Sequence, residues 1–261
     1  MAKAAAKGMI LTPWEVVAIF AAGVGAGGIN AVVGSGSLIT FPTLLAFGYP
    51  PIVANVSNNV GLVPGNMTGV LGYRPELKGQ RARLTRLGVA SVAGSAGGSV
   101  LLLLLPEKAF QMIVSVLIGI ACLLVLAQPR LGRWLNTWRT GADQHGGLWL
   151  WLGVLASGVY GGYFGAAQGV ILIGLLGIFL DEDLQRVNAA KNLLSLLVNA
   201  TAAVLFIVLA PVNWTAALLI ALGATLGGFV GARIGRKLPA TVLRTVVICV
   251  GIVAIVKLVY G

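Results

Sequence analysis

One stretch of the sequence decides the fold class: residues 16–73 read VVAIFAAGVGAGGINAVVGSGSLITFPTLLAFGYPPIVANVSNNVGLVPGNMTGVLGY. No charged residue interrupts this stretch. A helix needs about 20 apolar residues to cross a bilayer, so the stretch is long enough for more than one crossing. Its hydrophobic residues are continuous instead of alternating with polar ones, which favours helices over the strands of a membrane barrel.

The composition of the whole chain agrees with a membrane protein. Of its 261 residues, 58% are hydrophobic and 10% are charged, and the mean hydropathy is +0.96. A soluble domain carries about 25% charged residues, so a cytosolic enzyme, a disulfide-rich secreted domain and a disordered chain are excluded. We therefore predict a multi-pass protein in the lipid bilayer. The net charge of +11 is expected to come from loops that orient the chain, and no nucleic-acid partner is expected.

Glycine, proline and charged residues divide the chain into ten apolar segments. The second and seventh segments hold only about 12 residues, too few for an ordinary crossing, so each either crosses as a short helix or re-enters the membrane. The segments are 14–33, 36–48, 51–72, 88–105, 109–127, 147–165, 169–180, 187–210, 213–235 and 240–260. The predicted domains are a leader (1–13), a first half (14–127), a cytoplasmic linker (128–146) and a second half (147–261).

The two halves resemble each other in sequence. An offset of 133 residues, without a gap, aligns seven identical pairs: Gly25 with Gly158, Gly28 with Gly161, Gly36 with Gly169, Asn55 with Asn188, Asn59 with Asn192, Asn66 with Asn199, and Thr68 with Thr201. Asparagine is scarce in this chain, so three coincident asparagines weigh more than the overall identity does. The pattern indicates an internal duplication.

The basic residues predict how the halves lie in the membrane. Three loops, 73–86, 128–146 and 233–244, carry twelve of the 18 lysines and arginines, and such loops usually remain in the cytoplasm. Segment 88–105 then runs outward, whereas its counterpart 213–235 runs inward. The halves are therefore predicted to be inverted repeats with both chain termini outside the cytoplasm.

Glycine-rich breaks before the two short segments are the first candidate site. Non-helical backbone inside a membrane is tolerated only where protein or a wet cavity covers it. Short helices that begin at such breaks would direct the partial positive charge of their N-termini toward an anion at the midplane. The candidate residues are Gly34, Ser35, Gly36, Gln168 and Gly169. The alternative, close helix packing by small residues, is left open for Gly23, Gly25 and Gly27.

Asparagines form the second candidate site. Asn188, Asn192, Ser195 and Asn199 are spaced by four, three and four residues, and they lie on one stripe of a helix. Asn55, Asn59 and Asn66 repeat the stripe in the first half, with Leu62 in place of the serine. Amide groups in a bilayer need partners, so the stripes either join helices or face a pathway where they bind an oxyanion. We favour Asn55, Asn59, Asn188 and Asn192 as substrate ligands.

Lys191 is the basic residue that lies inside a predicted span, between Asn188 and Asn192. Its ammonium group either extends to the nearby membrane interface or acts as a counter-ion for an anionic substrate. Its repeat counterpart is Asn58, so such a charge would be present in one half only. Arg186 and residues 181–183 are expected to form a solvated turn.

Several absences limit the chemistry. No Asp or Glu lies deep in a predicted span, which speaks against a carboxylate proton relay or a carboxylate-lined cation site. His145 is the chain's single histidine, and Cys122 and Cys249 stand alone in apolar segments. We therefore expect no catalytic residue, no metal site, no cofactor and no enzyme activity. The glycine ladder at Gly223, Gly227, Gly231 and Gly235, with Gly94 and Gly98 in the partner helix, is expected to serve helix packing.

These features resemble the sulfite exporter TauE/SafE family, also called anion permeases of the sulfonate class. The likeness rests on GINAVVGSGSLITFPTLLAFGYPPIVANVSNNVG (28–61) and its second occurrence, GGYFGAAQGVILIGLLGIFLDEDLQRVNAAKNLLSLLVNATAA (161–203). The resemblance implies a bacterial inner-membrane transporter that exports sulfite, sulfoacetate or related sulfonates. It also implies that the glycine breaks and asparagine stripes form the central anion site. Family members often have Ser or Thr where this chain has Asn55, Asn59 and Asn192, which leaves the substrate within the class open.

We therefore expect an all-α, polytopic helical bundle of two inverted repeats, each of about five segments with a short broken or re-entrant helix. It would move a small oxyanion by alternating access, as a single chain or as a homo-oligomer. Two alternatives stay open: a transporter of another small metabolite or ion, and a non-transporting membrane subunit that anchors a partner.

Overall fold

The computed structural model describes residues 11–135 and 147–234 of the chain. Within these ranges the chain forms nine α-helices and no β-strand, which confirms the predicted all-α fold. In chain order the helices are α1 (Pro13–Val32), α2 (Ser37–Ala46), α3 (Pro51–Gly72), α4 (Arg81–Leu104), α5 (Glu107–Leu135), α6 (Gly147–Tyr163), α7 (Gln168–Phe179), α8 (Leu184–Leu209) and α9 (Trp214–Ile234).

Helix length and apolar character together identify the helices that could span a membrane. Five of the described helices, α1, α4, α5, α8 and α9, are long and apolar enough to cross a membrane. The two segments that were predicted to be short form α2 and α7, of 10 and 12 residues. At 1.5 Å per residue these helices reach about half of the roughly 30 Å hydrocarbon core. The protein is thus a multi-pass helical bundle with two half-length helices.

Local sequence explains where α1 begins. The Thr12 hydroxyl accepts a hydrogen bond from the Glu15 N–H, and the Glu15 carboxylate accepts one from the Thr12 N–H at 2.8 Å. This capping box satisfies N–H groups that a helix start leaves unpaired, and Pro13 occupies the first turn, where its missing N–H has no cost.

Two helices extend by seven or more residues beyond the predicted segments. α4 begins at Arg81, seven residues before the predicted start at 88, and α5 continues to Leu135, into the predicted linker 128–146. The expected boundaries were drawn at charged residues, but arginine is a good helix former, and a helix continues into water once it has left the bilayer. Basic loop 73–86 is correspondingly shorter than predicted.

Glycines hold two pairs of helices in backbone contact. A Cβ atom built on Gly227 of α9 would lie 1.9 Å from the carbonyl oxygen of Val24 in α1. One built on Gly98 of α4 would lie 2.0 Å from the carbonyl oxygen of Val159 in α6. The predicted packing role of the ladder is confirmed for its described members, whereas Gly235 lies outside the described residues.

The two halves pack against each other through corresponding helices. Under the 133-residue offset, α1, α3 and α4 correspond to α6, α8 and α9. α1 packs on α9 as α6 packs on α4, α3 packs on α9 as α8 packs on α4, and α3 and α8 pack on each other. This exchange is the pattern that a two-fold relation between the halves produces. Their inverted orientation in the membrane and the division at 128–146 stay predictions. The leader up to residue 10, His145, Cys249 and segment 240–260 lie outside the described residues.

A charged network joins the two halves at one end of the bundle. Glu182, between α7 and α8, accepts hydrogen bonds from Arg83 Nη2 of α4 at 2.7 Å and from Arg186 Nε at 2.5 Å. Arg186 also donates to the backbone oxygen of Lys78 at 3.1 Å. The expectation that Arg186 and residues 181–183 form a merely solvated turn is therefore wrong for Glu182 and Arg186. Their partner was not predictable, because Arg83 lies 99 positions away in the chain.

Replacing Glu182 by glutamine is expected to destabilise the protein at neutral pH. Burial opposes ionisation of Glu182, but hydrogen bonds from Arg186 and Arg83 outweigh it and lower the pKa of the carboxyl group. Removing these charge-assisted bonds should reduce the free energy of unfolding by about 2 kcal/mol. A lowered folded pKa means that this stabilisation is complete above the unfolded pKa of about 4.3 and is lost as the pH falls through the folded value.

Thermal unfolding of detergent-purified protein between pH 7.5 and pH 3 measures this effect. Wild type should lose its advantage over Glu182→Gln toward the acid end. Asp183→Asn removes an exposed carboxylate one residue away, and it should follow the wild-type profile. A constant difference between wild type and Glu182→Gln at every pH would contradict the ionic role.

Candidate functional site

The helical backbone is interrupted at corresponding positions in the two halves, between α1 and α2 and between α6 and α7. In the first interruption Gly34 has a φ angle of +85°. The residue 133 positions later, Ala167, has a φ angle of +59° in the second interruption. Positive φ is rare for a residue with a side chain, so the same unusual backbone conformation recurs in both halves.

The two breaks touch each other. The Gly169 N–H donates a hydrogen bond to the Gly34 carbonyl oxygen at 3.0 Å. A Cβ atom built on Gly34 would lie 2.4 Å from the Gly169 Cα, so the two backbones meet where neither residue has room for a side chain. The N-termini of the half-length helices α2 and α7 therefore come together, and each carries a partial positive charge.

A small polar cavity lies at this meeting point. Its volume is about 10 Å³, room for about one water molecule. None of the described residues that line it is acidic. The lining residues are Asn30, Gly34, Ser37, Asn66, Gly165, Gln168, Gly169, Asn192, Ser195 and Asn199.

Two hydrogen-bond donors of the lining have no protein partner. These are Asn66 Nδ2 and Ser195 Oγ, and both are buried. The Ser35 hydroxyl, which adjoins the lining in sequence, is also buried without a partner. Buried polar groups are normally hydrogen-bonded, so these donors indicate a place for a polar ligand or water. In the described part of the chain no cluster of His, Cys, Asp and Glu could hold a metal ion.

Asn30 links three elements around the cavity. Its side-chain oxygen accepts a hydrogen bond from the Gly36 N–H at 2.7 Å, at the start of α2. Its side-chain nitrogen donates to Asn66 Oδ1 of α3 at 3.2 Å. One residue near the end of α1 therefore fixes both the start of the broken helix and the Asn66 amide group, so that the Asn66 nitrogen keeps its donor capacity for the cavity.

The second-half stripe binds the C-terminal end of α1. Asn188 Nδ2 and Asn192 Nδ2 donate to the Ala31 carbonyl oxygen at 3.1 and 3.2 Å. Lys191 Nζ donates to the Asn30 carbonyl oxygen at 2.8 Å and to that of Ala31 at 3.4 Å. Helix ends leave such carbonyls unpaired, and a cation there also complements the helix dipole.

Lys191 lies inside the protein. Its side chain is fully buried, at 0% exposure, so the reading in which it extends to the membrane interface is wrong. It does not line the cavity, but its alkyl chain is next to the contact between the breaks, where a Cβ built on Gly169 would lie 3.0 Å from Lys191 Cδ. Its Nζ atom is thus placed close behind the cavity wall.

The first-half stripe makes the corresponding contacts with the second half. Asn55 Nδ2 donates to the Tyr163 carbonyl oxygen, at the C-terminal end of α6, at 3.1 Å. Asn59 Nδ2 donates to Asn199 Oδ1 at 3.2 Å. Each stripe therefore binds the end of the helix that precedes the break in the opposite half, so these amide groups join helices.

Gln168 binds α6 through its amide nitrogen. Its Nε2 donates to the Ser157 carbonyl oxygen on α6 at 3.2 Å, and the amide group packs over Gly161. Gln168 therefore supports the break mainly by fixing α7 against α6.

The structure brings part of the predicted set together. Of the predicted residues, Gly34, Gln168, Gly169 and Asn192 line the cavity, whereas Ser35, Gly36, Asn55, Asn59, Asn188 and Lys191 are not in its lining. The lining residues that were not among the predicted substrate ligands are Asn30, Ser37, Asn66, Gly165, Ser195 and Asn199. A signal for Asn66 and Asn199 was present, because the offset aligns them with each other. Asn30 gave no such signal, since its counterpart is Tyr163.

Comparison with known proteins gives one family match. The family model described as "Sulfite exporter TauE/SafE" matches residues 19–258. No solved structure matches the chain significantly.

Bacterial relatives match over nearly the whole chain. A protein of Haemophilus influenzae named "Probable membrane transporter protein" is 26% identical over 245 residues, which cover 93% of both chains. "Probable membrane transporter protein YfcA" of Escherichia coli K12 is 25% identical over 96% of this chain and 92% of its own length. "Probable membrane transporter protein ORF9" of a Sinorhizobium species is 24% identical over 92% of this chain and 90% of its own.

Proposed function

Since the chain belongs to the sulfite exporter TauE/SafE family, we propose that it exports a small organosulfur oxyanion, sulfite or a sulfonate such as sulfoacetate. At the level of the family, the protein is a membrane transporter. It is a multi-pass protein of the bacterial inner membrane. The proposed role needs no bond-making chemistry, so it is that of a carrier and not of an enzyme.

The observation that carries the substrate class is the electrostatic character of the cavity. The N-termini of α2 and α7 meet there, two buried donors lack partners, and none of the described lining residues carries a carboxylate. Helix N-termini and uncharged donors are a common way to hold an oxyanion, whereas a cation needs oxygen ligands such as carboxylates and free carbonyl groups. Lys191 is buried behind the wall, and its amine adds positive potential when it is protonated.

The size of the cavity supports transport by alternating access. It holds about one water molecule, so an oxyanion enters only after neighbouring elements separate. The two halves meet there through the Gly34–Gly169 backbone contact and through the Asn59–Asn199 hydrogen bond. We propose that opening of these contacts toward one side and then the other moves the anion, with the inverted repeats as the two moving parts.

The test measures binding and transport by the purified full-length protein. Thermal unfolding is followed with sulfite, sulfoacetate, methanesulfonate, phosphate, chloride and sodium ions as separate additions, and transport of the stabilising anion is then measured in proteoliposomes. We expect stabilisation by sulfite or a sulfonate and not by sodium ions. Ser195→Ala removes a donor to a charged ligand, and it should weaken binding by about tenfold or more.

Ser91→Ala is the matched control. Ser91 is also a buried serine whose hydroxyl has no partner, but it lies on α4 outside the cavity lining. It should bind the anion as wild type does. Stabilisation by sodium ions alone would favour a cation carrier, and equal binding by Ser195→Ala and wild type would contradict this site.

A further inference from the structure

A second, much larger depression lies at the end of the bundle that carries the loop 73–80 between α3 and α4. It is a groove of about 830 Å³ between the loop, α4 and α8. We call it the basic groove, because Arg74, Lys78 and Arg81 lie at one end of it and none of its described lining residues is acidic. It is separate from the small cavity between the half-length helices, with which it shares no lining residue.

The rest of the groove is apolar. Val89 and Val92 of α4 are exposed by 60% and 40%, and Leu193 and Leu197 of α8 form the opposite wall. α4 is long and apolar enough to span the membrane, so its exposed valines face the hydrocarbon region. The groove therefore runs from a cationic end at the membrane surface into the apolar layer.

This combination matches an anionic phospholipid. A phosphate headgroup would lie among the three basic side chains, and an acyl chain would lie along the valine and leucine walls. Basic pockets between membrane helices on the cytoplasmic side commonly take anionic headgroups. A free phosphate would leave the apolar walls without a ligand, and a zwitterionic lipid would leave the positive charges uncompensated.

Bound lipid would also act on the charged network that joins the halves. Arg186 holds the loop through the backbone oxygen of Lys78, and Arg83 follows Arg81 by two residues. A headgroup bound to Lys78 and Arg81 would therefore fix the loop next to Glu182 and its two arginines. We propose that the basic groove is a binding site for one anionic phospholipid of the inner leaflet.

The experiment measures lipid binding by thermal stabilisation of the full-length protein in detergent. Phosphatidylglycerol, phosphatidylcholine and inorganic phosphate are titrated separately. We expect stabilisation by phosphatidylglycerol only. The triple variant R74Q/K78Q/R81Q should need about a hundredfold more phosphatidylglycerol for half of the effect, at roughly fivefold for each basic residue removed near the membrane surface.

A charge-matched variant controls for net charge. R86Q/K108Q/R233Q removes three exposed basic residues that do not line the groove, and it should respond as wild type does. Val89→Trp keeps all charges but fills the apolar wall, so it should weaken phosphatidylglycerol binding and leave the fold intact. Equal stabilisation by phosphatidylcholine, full stabilisation by inorganic phosphate alone, or a wild-type response from R74Q/K78Q/R81Q would overturn the proposal.

Discussion

Gly34→Ala is expected to abolish transport and to lower the free energy of unfolding by several kcal/mol. Two costs add. Gly34 has a φ angle of +85°, and a left-handed conformation costs a residue with a side chain about 1–2 kcal/mol. The new methyl group would also lie 2.4 Å from the Gly169 Cα, so it would push the half-length helices apart and open the cavity between them. Overpacking of this kind costs about 1–3 kcal/mol more.

Gly48→Ala isolates the second cost. Gly48 has a nearly identical φ angle of +82°, but a Cβ atom built there meets nothing within 4 Å. This variant should lose only the backbone contribution and should retain transport. Thermal unfolding and proteoliposome transport of both variants measure the difference. If Gly34→Ala and Gly48→Ala were equally stable and equally active, the contact between the breaks would have no functional weight.

Lys191→Met is expected to reduce anion affinity by about tenfold while it changes stability by less than about 2 kcal/mol. The ammonium group caps the α1 carbonyls, but its burial carries a desolvation cost, so loss of the cap and removal of the buried charge oppose each other. Anion binding has no such compensation, because removal of the positive charge only weakens the attraction for the anion. At an effective dielectric constant of about 20, a unit charge at a distance of roughly 10 Å contributes about 1.7 kcal/mol, and a closer charge contributes more.

The ratio of the affinities for a divalent and a monovalent anion distinguishes an electrostatic role of Lys191 from a structural one. Lys191→Met should lose more affinity for divalent sulfite than for monovalent methanesulfonate. Asn188→Leu removes a donor to the same Ala31 carbonyl without removing a charge, and it should leave the ratio of the two affinities unchanged. Equal losses for both anions in Lys191→Met would show that the lysine acts only as a helix cap.

The number and approximate position of the helices are predictable from the sequence, because apolar length and charge are local properties. The uncharged run 16–73 predicts several helices, and the glycine-rich breaks before Gly36 and Gly169 predict where the half-length helices begin. The start of α4 at Arg81 was missed, since a charged residue ends a membrane segment without ending a helix. Residues alone therefore locate the elements more reliably than their ends.

The site was less predictable, because hydrogen-bond partners depend on which helices meet. The spacing of Asn188, Asn192 and Ser195 predicts a common face, but it does not show that the first two donate to an α1 carbonyl while the third lines the cavity. Asn30 was missed for the same reason. Its importance comes from its links to Gly36 and Asn66, which a linear pattern does not contain.

The unequal repeat positions at Lys191 and Asn58 have an electrical consequence. Asn58 is neutral and accepts a hydrogen bond from the Thr40 hydroxyl, so only the second half carries a buried charge at this position. If α8 shifts along the membrane normal between inward-open and outward-open forms, the lysine moves through part of the membrane field. A full crossing is worth about 2.3 kcal/mol per 100 mV. The resting voltage, negative inside, would then favour one open form over the other even without substrate. The empty carrier would rest with its site open to one side of the membrane, although its two halves have similar sequences.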